Sequence, residues 1–160
     1  MKKKLSTLLL SLAMSVSLVI PASAAPYNPQ LPSPDVEPIN NFWNTAPYIT
    51  NNVNGSSITQ QGWMDNSSDI DNYAIYSNGT RKQLLFFWPP DNQKYTVSIF
   101  EKSDFNDGYA TAIISRDFIN GNAEYLEFIP KPNTHYIIQV WGGNLSPVPS
   151  DPYWLISSYQ

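Results

Sequence analysis

The chain has 160 residues, 14 prolines, no cysteine and 14% charged residues, against 42% hydrophobic and 14% aromatic residues. The absence of cysteine excludes a disulfide-stapled miniprotein and any thiolate metal site. The length fits one domain, which commonly takes about 100–200 residues. The apolar content exceeds that of disordered chains, which lack the apolar surface needed to offset the entropy of ordering. The composition therefore predicts one small folded unit.

Residues 1–24 have the layout of a secretory signal peptide. Lys2, Lys3 and Lys4 precede an apolar run from Leu5 to Ile20, and Ala22-Ser23-Ala24 offers a small-x-small cleavage site. The run is short for a bilayer span, which needs about 20 apolar residues. We therefore expect cleavage after Ala24 rather than a membrane anchor, and a secreted, extracellular product.

Cleavage would leave an acidic chain. The signal segment holds three of the nine basic residues and no acid, so six basic residues face 13 acidic ones and the formal charge becomes −7. Such a chain repels phosphate polymers, which excludes nucleic acid as a partner class. Carboxylates outside the cell can instead bind hard cations such as Ca²⁺.

A proline-rich segment follows over residues 25–38 and contains five of the 14 prolines. Proline fixes its own backbone and biases the preceding residue towards extended geometry. The segment is therefore predicted to be a semi-rigid linker.

From residue 39 to residue 160 the apolar pattern mostly repeats every two residues, as in strands that bury one face. The predicted strands lie near residues 57–64, 71–76, 82–88, 95–100, 109–115, 123–129, 136–140 and 153–158. Asn78-Gly79 predicts a tight hairpin turn, with the third strand as the return strand. Leu84 to Trp88 is apolar throughout, which predicts that both faces of this strand are covered. About eight short strands with Gly, Pro and Asn turns predict an all-β domain, an antiparallel β-sandwich.

The sequence contains no evident catalytic constellation. His135 is the only histidine, and without a Gly-x-Ser-x-Gly elbow it is interpreted as a residue of a turn or strand edge. Glu124 and Glu127 lie three positions apart on one predicted strand, so they face opposite sides and do not form a glycosidase pair. We predict no catalytic residues and no enzymatic activity.

Two patterns indicate binding instead. Oxygen side chains recur at alternate positions of residues 65–71, where they can converge on a hard cation, although an Asx-rich turn is the commoner use of such a segment. Trp63, Trp88 and Trp141 each lie near a predicted strand end, where exposed rings could stack on sugars. Core packing is the default role of aromatic residues in a small sandwich.

Several motifs together resemble one known family. They are Glu37-Pro38-Ile39-Asn40-Asn41 with Thr45-Ala46, then Ser57-Ile58-Thr59, Asp69-Ile70-Asp71-Asn72-Tyr73, residues 134–140 and Tyr153-Trp154-Leu155. Their order and spacing over residues 37–160 resemble the bacterial pre-peptidase C-terminal domain, whose relatives include the collagen-binding domains of clostridial collagenases. The resemblance implies a jelly-roll-like antiparallel β-sandwich.

The resemblance also implies a calcium site. In calcium-binding members, residues before the first strand join the Asp-x-Asp loop around the ion, and the matching residues here are Glu37, Asn40, Asn41, Asp69 and Asp71. Ile39 lengthens the first motif by one residue, so either Asn40 or Asn41 faces the ion. Members usually follow secreted peptidases. No catalytic domain precedes this one, so we expect a free-standing binding or accessory module.

Three functions remain open at this point. The first is a secreted, monomeric, non-enzymatic module, stabilised by calcium, that targets an extracellular protein or matrix. The second is a carbohydrate-binding module that uses Trp63, Trp88 or Trp141. The third, ranked last, is a small secreted hydrolase or an inhibitor of one. After signal cleavage we expect no membrane contact.

Overall fold

The computed structural model describes residues 39–49, 57–79, 81–107, 110–119, 121–143 and 147–159. The predicted signal peptide and linker, and Glu37 with them, lie outside the described residues. The strands are β1 (Ser57–Gly62), β2 (Ile70–Ser77), β3 (Gln83–Trp88), β4 (Lys94–Glu101), β5 (Ile114–Ile119), β6 (Glu124–Phe128), β7 (Thr134–Trp141) and β8 (Tyr153–Tyr159). The described part also has two short 3-10 helices, Ile39–Asn41 and Lys102–Asp107, and neither is long enough to cross a membrane.

The strands form two antiparallel sheets of four strands each. Sheet 1 has the order β1-β8-β3-β6 and sheet 2 the order β2-β7-β4-β5. Successive strands change sheet at every step except from β4 to β5, which form the one hairpin among the described strands. This alternation gives the two-sheet order of a jelly roll. The predicted all-β antiparallel sandwich is confirmed.

The hairpin predicted at Asn78-Gly79 is wrong. β2 pairs with β7, whereas β3 pairs with β6 and β8, so the chain crosses between sheets after Ser77. Ser77 Oγ donates a hydrogen bond to Gly79 O (2.9 Å), which forms a local polar turn at the crossing. The two residues supply a turn, but the partner of a strand is set by which of its faces is buried.

Aromatic side chains fill the space between the sheets. The ring of Phe87 lies 5.6 Å from Tyr95, 5.1 Å from Phe118 and 5.2 Å from Tyr153, measured between centroids. Tilted and edge-on ring pairs of this kind add about 0.5–1.5 kcal/mol each beyond the burial of their area. Aromatic packing therefore stabilises a small sandwich that has no disulfide.

The outer edge of β2 is covered by residues 46–49. Ile49 N donates to Ala74 O and Ala74 N donates to Pro47 O, both at 2.8 Å, and Tyr48 forms a parallel bridge with Ala74. Because an unpaired strand edge is a template for association, this segment protects one edge of sheet 2. On the other side of the sandwich, β5 and β6 are the terminal strands of their sheets.

The loops divide between two ends of the sandwich. The connections after β1, β3, β5 and β7 lie together, because Gly62 pairs with Tyr153, Trp88 with Trp154 and Ile70 with Trp141. We call this end, formed by the described residues of 63–69, 89–93, 120–123 and 142–152, the Trp88 end. The connections after β2, β4 and β6 lie at the opposite end.

Candidate functional site

Asp71 lies in the core at the start of β2. Its side chain is fully buried, Asn40 Nδ2 donates to Oδ1 (2.7 Å), and the Tyr153 hydroxyl donates to Oδ2 (2.5 Å). The hydroxyls of Tyr73 and Tyr153 are 2.6 Å apart. Burial, then the neighbouring Tyr73 and the Asp71 carboxylate, raise the pKa of Tyr153 well above its usual value, so this hydroxyl remains a donor. The donors compensate a carboxylate that has been removed from water.

Asp69 organises the loop that precedes β2. Its Oδ2 accepts a hydrogen bond from Asp65 N (2.7 Å) and its Oδ1 accepts one from Ile70 N (2.9 Å). In the same loop, Asn66 Oδ1 accepts a hydrogen bond from Ser68 N (2.9 Å). The side chains thus cap backbone groups as an Asx-rich turn does. Both oxygens of Asp69 are already used by backbone donors.

Four of the five predicted calcium ligands belong to the described residues, and the fifth is Glu37. Asn72 Nδ2 donates to Asn40 O (2.9 Å), which holds the first 3-10 helix against β2. The Oδ1 atom of Asn41 is buried and has no hydrogen-bond donor among the described residues. Calcium takes six to eight oxygen ligands, and no group of three acidic or histidine side chains in the described ranges could hold a metal. The described residues alone do not complete a calcium site, and calcium binding stays a prediction.

His135 belongs to a small polar cluster on the outer face of sheet 2. Its Nδ1 is 2.8 Å from the Tyr48 hydroxyl, and its ring lies 4.8 Å from that of Tyr76. The Tyr76 hydroxyl in turn donates to Asn133 Oδ1 (3.0 Å). The histidine therefore helps to hold residues 46–49 against sheet 2, and its described hydrogen-bond partner is a tyrosine rather than a serine.

The outer face of sheet 1 carries an exposed apolar surface, which we call the aromatic face. It consists of outward-facing residues of β3, β6 and β8, namely the exposed Phe86, Trp88 and Tyr125, the half-buried Trp154 and Ile156, and Leu84, which is buried beside them. Trp88 is 54% exposed, Tyr125 47% and Phe86 37%. The prediction that both faces of β3 are covered is therefore wrong. Leu85 and Phe87 pack in the core, and of the outward side chains of β3, Leu84 is buried whereas Phe86 and Trp88 are exposed to solvent.

The strand register places the side chains of the aromatic face next to one another. Phe86 lies between Tyr125 on β6 and Ile156 on β8, and Trp88 lies opposite Trp154. The rings of Phe86 and Tyr125 are 5.6 Å apart, with an angle of 51° between their planes. An ion pair between Lys82 and Glu127 (3.1 Å) borders the apolar residues. An apolar centre with a polar rim is the usual anatomy of a protein interface.

The three tryptophans predicted to bind a ligand all lie at the Trp88 end but have different surroundings. Trp88 belongs to the aromatic face. Trp141 is 43% exposed and lies on the outer face of sheet 2, between Ile70 and Thr96. Trp63 follows β1 and is half-buried. Because Trp88 and Trp141 face opposite sides of the sandwich, one flat ligand would contact only one of them. Their role in binding stays a prediction.

A groove of about 650 Å³ runs between β5 and β6 on the open side of the sandwich. Arg116 crosses it: Nη1 donates to Tyr125 O (3.0 Å) and Nη2 pairs with the Glu124 carboxylate. The guanidinium thereby satisfies a carbonyl of terminal strand β6 that would otherwise be open to another chain.

Comparisons with known proteins give the fold a context. No protein-family model matches the sequence, and no curated protein matches it significantly. Among solved structures, the chain is similar to PliG of Aeromonas hydrophila, a periplasmic inhibitor of g-type lysozyme. Their identity is 18% and the TM-score is 0.51, over 72% of this chain and 99% of that chain. It is also similar to the pre-peptidase C-terminal domain of collagenase from Bacillus anthracis, at 15% identity and a TM-score of 0.46, over 72% and 94% of the two chains.

These likenesses concern the fold. The structure shared with PliG is consistent with the sandwich derived above, and at 18% identity it transfers no activity to this chain. Membership of the pre-peptidase C-terminal family stays a prediction from the motifs.

Sequence reasoning missed two features of the site. The bond from Tyr153 to Asp71 joins residues 82 positions apart, and no local pattern indicates it. The aromatic face did leave a signal, because Leu84 to Trp88 is apolar at every position and a strand buried on one face needs only alternate apolar residues. The second apolar set was assigned to burial and is partly exposed instead.

Proposed function

We propose that the chain is a secreted, non-enzymatic binding module that docks a protein partner on the aromatic face. The exposed rings of Phe86, Trp88 and Tyr125 on adjoining strands carry this proposal. Monomeric soluble proteins rarely leave large contiguous apolar patches in water, and such patches commonly mark interaction sites. Aromatic residues are also enriched among the residues that dominate binding energy at protein interfaces.

The ring geometry favours a protein over a flat polysaccharide. Rings that stack on one flat sugar chain such as cellulose lie nearly parallel, whereas the planes of Phe86 and Tyr125 differ by 51°. Phe86 and Ile156 also offer no polar atom to sugar hydroxyls. Tilted rings leave clefts into which side chains of a protein can insert. Carbohydrate binding through Trp88 or Trp141 remains the alternative, supported by the exposure of both rings.

A binding assay with the mature chain tests the proposal. The probes are g-type lysozyme, chosen because the similar PliG inhibits it, together with insoluble cellulose, chitin and peptidoglycan. We expect a protein to bind, and the double variant Phe86→Ala/Tyr125→Ala to weaken binding by about 30-fold or more, as truncation of interface hot spots does. The matched control is Phe42→Ala, because Phe42 is 62% exposed and lies outside the aromatic face.

Two results would count against protein docking. If the double variant bound a protein partner as tightly as the wild type, the aromatic face would not be the docking surface. If only a polysaccharide bound, and Trp88→Ala or Trp141→Ala abolished that binding, the carbohydrate alternative would replace the proposal.

Calcium stabilisation is a separate part of the proposal. The carboxylates of Asp69 and Asp71 lie two residues apart at the start of β2, and the buried Asn41 oxygen belongs to the helix that packs beside this strand. A calcium ion at this position would need Glu37 as a further ligand, since hard cations require several oxygens.

A further inference from the structure

We infer that the partner on the aromatic face is a basic protein, whose positive side chains meet carboxylates at the Trp88 end. This inference rests on the proposed function and names the class of its partner. A basic partner is favoured because the charges of the described residues are distributed unequally between the two ends of the sandwich.

The Trp88 end carries exposed negative charge. Three exposed aspartates, each in a different loop, lie there: Asp65, Asp91 and Asp151. None of them forms an ion pair within the described part of the chain. Each aspartate stands two or three residues from a tryptophan, in the pairs Trp63 with Asp65, Trp88 with Asp91, and Asp151 with Trp154. Aromatic rings and carboxylates therefore alternate around this end.

Most of the positive charge of the mature chain lies at the opposite end of the sandwich. Four of its six basic residues, Arg81, Lys82, Lys102 and Lys131, belong to the connections at the opposite end. The other two are Lys94, which begins β4 at the Trp88 end and pairs with Asp117 (2.7 Å), and Arg116 of β5, which pairs with Glu124. Within the described ranges, no lysine or arginine forms an ion pair with any of the three loop aspartates.

The three aspartates follow or precede the strands of sheet 1 where the aromatic face ends. Trp88 and Trp154 lie opposite each other at that end; Asp91 comes three residues after Trp88, and Asp151 three residues before Trp154. Asp65 comes three residues after Gly62, the last residue of β1, which pairs with β8. A partner lysine or arginine can lie over a tryptophan ring and pair with the adjacent carboxylate, while apolar groups of the partner cover Phe86. The aspartates alone are spread too widely to form a site, and the aromatic face supplies the apolar contact.

A second copy of the chain does not fit this surface as well. The mature chain has a formal charge of −7, so two copies repel one another, and pairing the same face would bring like carboxylates together. A basic partner has the opposite effect. Charges at the rim of an interface mainly accelerate encounter and make binding dependent on salt.

The test compares two variants that remove the same charge at different places. Asp65→Asn/Asp91→Asn/Asp151→Asn removes three carboxylates from the Trp88 end, and Glu101→Gln/Asp104→Asn/Asp107→Asn removes three from the opposite end. The probes are three basic proteins, g-type lysozyme, cytochrome c and ribonuclease A, and two acidic proteins, serum albumin and ovalbumin. Dissociation constants are measured in about 0.05 M and about 0.5 M salt, which screen exposed charges to different extents.

We expect the wild type to bind at least one basic protein and neither acidic one. The Trp88-end variant loses three exposed ion pairs with the partner. We therefore expect its dissociation constant to be about tenfold higher than that of the wild type and to change less with salt. The opposite-end variant should stay within about twofold of the wild type, because the three substituted positions belong to the end of β4 and to the second 3-10 helix, away from the Trp88 end.

The outcomes separate this inference from the proposed function. Equal weakening by both variants would show attraction by net charge alone and would overturn the inference, as would failure of every basic protein to bind at low salt. Binding of an acidic protein that is lost in Phe86→Ala/Tyr125→Ala would overturn the inference while leaving docking on the aromatic face intact.

Discussion

Replacing Tyr153 by phenylalanine removes one hydroxyl from the core and leaves the ring packing unchanged. In the wild type this hydroxyl donates to Asp71 Oδ2 at 2.5 Å and lies 2.6 Å from the Tyr73 hydroxyl. Tyr153 and Asp71 are both fully buried, so water cannot replace the lost donor. The variant therefore leaves one carboxylate oxygen without its tyrosine partner.

The size of the effect follows from the two contacts. A hydrogen bond to a charged group contributes about 1.5–3 kcal/mol, and one between neutral groups contributes about 1 kcal/mol. Tyr153→Phe loses one contact of each kind, so we expect the free energy of unfolding to fall by about 2–4 kcal/mol. Tyr73→Phe loses the contact between the hydroxyls but keeps the bond from Tyr153 to Asp71, so it should cost less, about 1 kcal/mol.

Urea unfolding followed by circular dichroism measures these differences. Tyr125→Phe is the matched control, because the same atom is removed from a ring that is 47% exposed, and it should change stability by less than about 0.5 kcal/mol. If Tyr153→Phe were as stable as this control, the Asp71 carboxylate would not depend on the Tyr153 hydroxyl, and the account of the buried network would be refuted.

Three further predictions concern alkaline pH, a close contact and calcium. Burial raises the pKa of Tyr95 and of Tyr153 above the usual value of 10.0, so these groups ionise first in the unfolded chain. The two tyrosines should therefore leave the free energy of unfolding unchanged below about pH 10 and lower it as the pH rises further. Urea midpoints that stay constant up to about pH 11 would contradict this. Gly62→Ala should cost about 2 kcal/mol or more, because its Cβ would collide with the Tyr153 hydroxyl and lie 2.7 Å from that of Tyr73; an unchanged urea midpoint would exclude the collision. Millimolar calcium should raise the melting temperature of the wild type but not that of Glu37→Gln. If the ion saturates the native state, the free energy of unfolding should rise by about 1–3 kcal/mol. An unchanged melting temperature of the wild type would remove calcium from the proposal.

The positions of most strands could be predicted from the sequence, because a strand that buries one face has apolar residues at every second position. Tyr95, Val97 and Ile99 show this for β4. The partners of the strands could not be predicted in the same way. Asn78-Gly79 has the composition of a hairpin turn, yet β2 and β3 lie in different sheets, since pairing depends on distant residues. β5 also begins later than predicted, at Ile114, because its pairing with β4 puts Phe118 opposite Tyr95 in the core.

The candidate site was accessible to sequence reasoning only in part. Alternation along β2 puts Asp71 on the same face as Tyr73, although Asp71 was predicted as a calcium ligand rather than as a core residue. The donors that make this buried carboxylate tolerable come from Asn40 and Tyr153, in distant parts of the chain. Likewise, the apolar run of β3 revealed two apolar faces but not which of them would face solvent.

The placement of the tryptophans gives the molecule an intrinsic optical probe of one end. Four of the five indoles, those of Trp63, Trp88, Trp141 and Trp154, lie where β1, β3 and β7 finish and β8 starts, whereas Trp43 stacks on Phe105 of the second 3-10 helix. Emission from the unlabelled protein is therefore weighted towards that end. A molecule that settles there should shift or quench the fluorescence, and one held near His135 should leave most of it unaltered.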